Sequence, residues 1–595
     1  MIAFPPRFLV LGVLRAFALA AAASLLAACA GQPAHTSAAA PDQEAAATQP
    51  AVESATPEEA REPELPKQDL TGETMYEFLL AEIAGQRGNT TLAAQAYADL
   101  ARKTRDPRVA ERATQVAVEA RMPEAAIESA KIWADTAPES TRALGAAASL
   151  LVNAKRLDEA QPYLERILAL SGDNRGDGFM QLNRLLSGNP DKAASLRAIQ
   201  SLAGPYPALP QARFAVAAAA SNAGQDELAL KEVRAASQLK PDWELAALFE
   251  AQLLQKTSNA AASERLAQYL KTYPMSREVR LAYARTLVAD KRYPEARVEF
   301  DRLAKDYPDN IDVVYSIALL SMQLEDWPVA EANLKRLLDL GYRDRNAVRF
   351  YLGQVAEERK NFPEALKWYG EVTPGQQYMP AQIRSAQVIS KQGDLAGARK
   401  YLQQVNAQSS EQRVQLILAE AQLLRDAKQE REAFGLVDQA LDKLPNNPEL
   451  LYDHAMLAER IDRVDVLESS LRKLIRIKPD NAHAYNALGY TLADRNQRLV
   501  EANELIDTAL KLAPDDAFIM DSKGWVLYRQ GRTEEGLAYL QRAYSIRPDA
   551  EIAAHLGEVL WVLGRHADAR KVWDEALKKS PENETLTKTV QRLGK

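Results

Sequence analysis

Residues 275–308 read MSREVRLAYARTLVADKRYPEARVEFDRLAKDYP, and this segment decides the fold. Its apolar side chains recur at helical spacing in two blocks separated by a short polar turn, the pattern of two amphipathic helices. Ala284 and Ala296 stand twelve residues apart, one in each helix, where small side chains let two helices cross closely. Phe300 and Leu303 follow four and seven positions after Ala296 and mark the inward face of the second helix. Pro308 then stops it, because proline cannot continue the hydrogen-bond ladder. The same punctuation recurs at Pro241, Pro274, Pro308, Pro445, Pro479, Pro514, Pro548 and Pro581. The spacings are 33, 34, 137, 34, 35, 34 and 33, and 137 is about four times 34.

A helical hairpin repeated every 34 residues resembles the tetratricopeptide repeat (TPR). The small-residue pair recurs as Ala217/Ala229, Ala318/Ala330, Gly353/Ala365, Ala386/Ala398, Ala421/Ala433 and Gly557/Ala569. Gly524 pairs with Gly536, and Gly489 with Ala502 after a one-residue insertion. Further upstream Ala81/Ala93, Ala113/Ala125 and Ala148/Ala160 fit the same rule. The resemblance implies an all-α, right-handed superhelical TPR solenoid with room for about 15 units between residues 69 and 595. Repeats of about 40 or more residues, as in HEAT arrays, do not fit this register. The expected organisation is amino-terminal TPR-like repeats over 69–171, a degenerate repeat or hinge over the glycine-rich stretch 172–210, and a carboxy-terminal array over 211–595.

Composition agrees. With 26 Gly and 30 Pro in 595 residues the chain is neither low-complexity nor turn-dense, and it is longer than a single core of roughly 300 residues supports. A net charge of -7 argues against a nucleic-acid partner, which needs clustered excess Lys and Arg. The first residues carry a different message. Arg7 and Arg15 precede the uncharged stretch Ala16 to Ala28, the layout of a secretory signal over residues 1–28 and too short for a membrane-spanning helix. Leu26-Ala27-Ala28-Cys29 resembles the bacterial lipobox, and Cys29 is the only cysteine of the chain. The resemblance implies cleavage before Cys29 and acylation of its sulfur and amino group with diacylglycerol and palmitate-type chains. Several acyl chains, each buried methylene adding about 0.8 kcal/mol, would anchor it in practice permanently. Ala30 follows rather than the Asp of inner-membrane retention, so the expected location is the periplasmic face of the outer membrane. Residues 29–68 continue as the lipidated cysteine and an acidic, Ala/Pro-rich tether without apolar periodicity.

Catalytic patterns are absent. No H-E-x-x-H, Walker loop, G-x-S-x-G or strand-borne G-x-G-x-x-G occurs, and the five histidines are scattered. The expectation is a chain without enzyme activity, cofactor or metal. Function is sought instead on the concave surface, which in TPR proteins is lined by fixed first-helix positions. Numbering the small residue 8, positions 2, 5, 9, 12 and 13 of the last four repeats select Tyr452, Asn486, Tyr490, Trp525, Tyr528, Arg529 and Trp561, with Met456, Asp494 and Asp521 beside them. Aromatic and Arg side chains are the types that anchor protein partners. The alternative for each is ordinary packing between helices. Only Asn486 and Arg529 resemble members of a carboxylate clamp, so capture of a free carboxy terminus is not expected.

The start of the folded region reads Leu80-Ala81-Glu82-Ile83-Ala84-Gly85-Gln86-Arg87-Gly88, then Thr104-Arg105-Asp106-Pro107-Arg108-Val109-Ala110-Glu111-Arg112-Ala113. With the lipobox and the repeats, this resembles the large outer-membrane TPR lipoproteins of Gram-negative bacteria. One member of that group is the adaptor of a periplasmic carboxyl-terminal processing protease that degrades cell-wall hydrolases. The resemblance implies a membrane-anchored scaffold for periplasmic partners of that kind. The alternatives are an assembly factor for exported polysaccharide, pili or outer-membrane proteins and, from another class, an envelope enzyme carrying a helical-repeat domain.

Overall fold

The computed structural model describes Pro66 and residues 71–594; Cys29, the signal and most of the tether lie outside the described residues. Among the described residues there are 31 α-helices and no strand: fifteen helical hairpins from Gly72–Gln86 with Thr90–Thr104 to Ala550–Val562 with His566–Lys579, then a last helix, Glu584–Leu593. The described residues up to Pro308 form one compact unit of seven hairpins, and those from Asp309 onward form a second.

The local rules of the sequence are visible in each hairpin. Residues before the repeat prolines, such as Lys240, Tyr273, Tyr307, Leu444 and Lys478, leave the helical region with φ between -138 and -123°, as the proline ring forces on its predecessor. The turn inside each hairpin needs one residue in the left-handed region. Glycine supplies it at Gly224 (φ 73°) and Gly531 (φ 80°), but Lys291, Glu325, Lys360, Lys428 and Asp462 adopt it at φ 59 to 60°. N-caps are supplied by Ser276, Asn310, Asn447 and Asn481, each accepting a backbone N–H of the first turn.

The crossing points are fully buried: Ala217/Ala229, Ala284/Ala296, Ala318/Ala330 and Ala421/Ala433 have no exposed surface. At Gly524 and Gly536 the helices come closer still. A Cβ on Gly524 would lie 2.8 Å from the Gly536 carbonyl oxygen, and one on Gly536 would lie 2.7 Å from that of Gly524. One pairing read from the sequence is shifted by a residue. Ala113 is fully buried but Ala125 only partly, and the buried small residue of the second helix is its neighbour Ala126, twelve residues after the buried Thr114. The stretch 172–210 holds a 3-10 turn, Gly172–Asn174, and a hairpin of Arg175–Ser187 with Lys192–Ala203. There Ser195 is the small residue of the second helix, tied by a 3.0 Å hydrogen bond from Asn189 Nδ2.

Successive hairpins are stitched by side chains about one period apart. Lys391 reaches Glu357 (2.7 Å), Arg495 reaches Asp462 (2.7 Å), Gln255 donates to Thr286 (2.9 Å), and Arg592 reaches Glu558. The last helix closes its end of the second unit: Leu586 is buried while Lys588 and Arg592 face outward, the polar cap a repeat array needs.

Candidate functional site

Four consecutive first helices of the second unit carry the chemistry: Pro448–Arg460, Ala482–Asp494, Ala517–Arg529 and Ala550–Val562. At their centre is an ion pair between neighbouring repeats. His555 Nδ1 lies 2.9 Å from Asp521 Oδ2 and 3.1 Å from Oδ1. On the other side of the ring His555 Nε2 is 3.3 Å from the Tyr490 hydroxyl, so three first helices are linked through one imidazole. Trp525 stacks on that imidazole, with ring centres 4.2 Å apart and planes at 24°. Tyr528 packs on Trp525 at 5.2 Å, and the Arg529 guanidinium sits 5.7 Å from the indole centre. Arg529 also donates to the Asp494 main-chain oxygen at 3.1 Å, and the Tyr528 hydroxyl to Glu558 at 3.4 Å.

Electrostatics follow from this crowding. Burial alone would lower the His555 pKa, but Asp521, as charge and as hydrogen-bond acceptor, outweighs it and the imidazole titrates above its usual value. An imidazolium there donates from Nδ1 to the carboxylate and from Nε2 to Tyr490. Burial, and then the Asp549 carboxylate, push Glu551 up to about 7. Glu459 is raised by burial too, with its Oε1 accepting from Thr491 Oγ1 at 3.4 Å. The Tyr490 phenol is held well above its ordinary value by burial and by Asp494, Asp521, Glu551 and Glu459 around it. Several polar atoms are buried without a hydrogen-bond partner: Asn486 Oδ1, Trp525 Nε1, Arg529 Nε and Glu551 Oε1. Buried polar groups are normally satisfied, and these four atoms lie on three neighbouring first helices.

The seven groove residues named from the sequence therefore divide. Tyr490 and Trp525 are buried, 6% and 4% exposed, and join the His555 cluster with Tyr528 and Arg529. Asn486 is partly buried on the same helix as Tyr490. Tyr452 is partly buried one hairpin earlier, and burial pushes its phenol up to about 12. Trp561 turns to its own hairpin, stacking on Trp573 at 5.6 Å and meeting His566 edge-on at 4.2 Å. Sequence reasoning missed His555, Glu551 and Glu459. His555 occupies position 6, which is not a lining position, and the signal that finds it is its distance of one period, 34 residues, from Asp521. His454, by contrast, is packed within its own surroundings, stacked on Phe434 at 4.6 Å with Nδ1 3.0 Å from Ser470 Oγ, and burial lowers its pKa.

Among the described residues no group of His, Cys, Asp and Glu is arranged to hold a metal ion, and no helix is long and apolar enough to cross a membrane. In the first unit a polar recess of about 500 Å³ lies between Thr141–Asn153 and Arg175–Ser187, lined by Ser149, Asn153, Gln181 and Arg184.

Comparison with known proteins agrees with the repeat geometry. Family models described as Tetratricopeptide repeat match residues 253–320, 315–378 and 522–584. TPR repeat-containing protein PA4667 of Pseudomonas aeruginosa is 38% identical over 490 residues, covering 82% of either chain. Cellulose synthase operon protein C of Pseudomonas fluorescens is 26% identical over 372 residues, 59% of this chain and 27% of that protein. Of solved structures, a thermophilic TPR protein from Thermus thermophilus is similar over 30% of this chain and 99% of its own, at 22% identity and a TM-score of 0.28. The helical hairpins, their 34-residue period and the extended match to the Pseudomonas aeruginosa relative together place this chain in the tetratricopeptide repeat protein family.

Proposed function

We propose that the protein is a non-catalytic scaffold, held through lipid on Cys29 at the periplasmic face of the outer membrane, which gathers periplasmic proteins on its first-helix faces. TPR arrays are in general protein-interaction modules, and the observation that carries the reading here is the row at Asn486, Tyr490, Trp525, Tyr528 and Arg529. Those side chains have the types found at interface anchors, and they lie on adjacent helices linked through His555. Two partners on one array meet at a raised effective concentration without any new chemistry. The resemblance of the lipobox and of the segment around Ala81 to outer-membrane TPR lipoproteins points to a carboxyl-terminal processing protease and its cell-wall hydrolase substrates.

The test is a crosslinked pull-down from membranes with the full chain, beside Cys29→Ala. Recovery of a protease or envelope hydrolase with the anchored chain is the expected result. Recovery of no envelope protein would sink the scaffold reading, and full function of Cys29→Ala would show the anchor to be dispensable. The similarity to cellulose synthase operon protein C supports a second reading, an assembly factor for exported polysaccharide. In that case the same pull-down returns components of polysaccharide synthesis or export and no protease.

A further inference from the structure

We propose that the first-helix face of Pro448–Arg460, Ala482–Asp494, Ala517–Arg529 and Ala550–Val562 binds a basic segment of a partner polypeptide, its lysine or arginine side chains meeting Glu459, Asp494 and Glu551 and its main-chain carbonyls meeting Trp525 and Arg529. This rests on the reading above that partners dock on first-helix faces, and it adds what the docked chain must carry.

Three independent features point to that chemistry. The first is charge. Glu459, Asp494, Asp521 and Glu551 all bear on the Tyr490 hydroxyl; His555 and Arg529 lie among them, and Arg495 acts on Glu459. Asp521 is already matched by His555, and Arg529 spends one amine on the Asp494 main chain, so the carboxylates of Asp494 and Glu551 are left in excess. Glu551 and Glu459 are driven towards their neutral forms by this confinement, and an incoming cation would relieve it.

The second feature is the unsatisfied donors. Trp525 is 4% exposed and its indole N–H donates to nothing; the Arg529 Nε beside it is likewise unpaired. A buried donor without an acceptor is costly, and within an acidic face it cannot be satisfied by a cation. It needs a neutral acceptor such as a peptide carbonyl. The third is the unpaired acceptors: Asn486 Oδ1 and Glu551 Oε1 call for donors, which a lysine ammonium, an arginine guanidinium or a main-chain N–H supplies. A ligand that is cationic and also rich in carbonyl oxygens is a basic polypeptide. A free metal cation or a polyamine meets the acceptors but leaves Trp525 and Arg529 unmet.

The stacked rings set the remaining requirement. Trp525 and His555 are buried as a stacked pair, and the partly buried Tyr528 ring, tilted at 43° to Trp525, offers an apolar surface beside the carboxylates. Lysine and arginine stems lie along such surfaces while their heads reach charge, and guanidinium planes stack on aromatic faces.

The experiment uses the full chain in detergent and three labelled peptides of one length and one apolar pattern, carrying lysines, glutamines or glutamates at the remaining positions. Fluorescence anisotropy is expected to show the lysine peptide binding about tenfold or more tighter than the glutamine peptide, the scale of one desolvated charged hydrogen bond, with the glutamate peptide weaker still. The preference falls as salt is raised. The double variant Asp494→Asn, Glu551→Gln should abolish the preference while leaving the helices folded. Trp525→Phe, which keeps an aromatic ring but removes the N–H, should weaken the lysine and glutamine peptides alike. Asp568→Asn, on an exposed second helix, is the control and should change nothing. Equal binding of the lysine and glutamate peptides, survival of the preference in the double variant, or an equal loss in Asp568→Asn would each overturn the proposal. Failure here alongside a pull-down that recovers envelope proteins removes this inference alone, whereas an empty pull-down removes the scaffold reading itself.

Discussion

The helices Pro210–Asn222 and Ala517–Arg529 occupy the same slot of their hairpins, yet they have been filled for different ends. In the first, Ala215, Ala217 and Ala220 are fully buried, and lining positions 9, 12 and 13 are taken by the shorter side chains Ala218, Ser221 and Asn222. At position 5 Phe214 packs on Trp243 at 5.0 Å and Phe249 at 5.3 Å, inside the core, while Arg213 pairs with Glu232 of its own hairpin at 2.9 Å. In the second, the same positions hold Asp521, Trp525, Tyr528 and Arg529, and the polar ones reach across to neighbouring repeats. The hairpin needs only small residues at its crossing and apolar residues on its inward face. Everything on the remaining face of the first helix is left free to be spent on recognition.

The largest expected effect breaks what the two helices share. Gly524→Leu would drive its Cβ against the Gly536 carbonyl, which is backbone and cannot swing aside, whereas Ala217 already has room for a Cβ. A loss of about 3 kcal/mol or more is expected in urea melts, with fast hydrogen exchange confined to residues near 517–546, against about 1 kcal/mol for Ala217→Gly. Next comes what distinguishes them. Asp521→Asn removes the charge facing His555, lets the imidazole become neutral, and should cost about 2 kcal/mol in the second unit alone.

A third test uses pH. Glu551 titrates near 7 when folded, above its ordinary 4.5, so between these values the folded chain holds more protons than the unfolded one and stability falls as pH rises. His555 acts in the same direction, since its raised value gives stability that is complete below about 6.5 and fades as pH passes the folded value. The groups facing it are Asp521, Glu551, Asp494 and the Tyr490 hydroxyl. Melts followed from pH 5 to 8 should therefore show residues 482–562 losing about 1–2 kcal/mol, with Glu551→Gln flattening the slope and residues 210–239 unaffected. The smallest effect is the control: Ser221→Ala and Asn222→Ala should change stability by less than about 0.5 kcal/mol. A large loss there would mean that the plain face of Pro210–Asn222 is under constraint too, and the contrast would fail.

How far the sequence could be read follows from the same division. The period, the crossing residues and the stopping prolines are properties of one hairpin at a time, so residues such as Ala284, Ala296 and Pro308 carry them locally. The slip at Ala113 and Ala125 arose where alanines crowd both helices, and only packing distinguishes Ala125 from the buried Ala126. The lining positions pointed to Tyr490, Trp525, Tyr528 and Arg529, but nothing local couples them to His555. That coupling spans hairpins, and its trace is the 34-residue interval from Asp521. Trp561 shows the converse, a lining position whose aromatic ring packs on Trp573 in its own hairpin.

The stitching of hairpins by side chains about one period apart has a consequence for how such a chain can change in length. Lys391 with Glu357 and His555 with Asp521 each meet because one whole repeat separates them. Loss or duplication of a complete repeat leaves every surviving helix facing a helix of the same kind, so new neighbours inherit usable slots. An insertion of a few residues inside a helix rotates all later side chains by roughly 100° each and misaligns every pair downstream within that helix. The array is thus a chain of interchangeable links, lengthened or shortened by genetic events that respect the link and intolerant of those that cut across it.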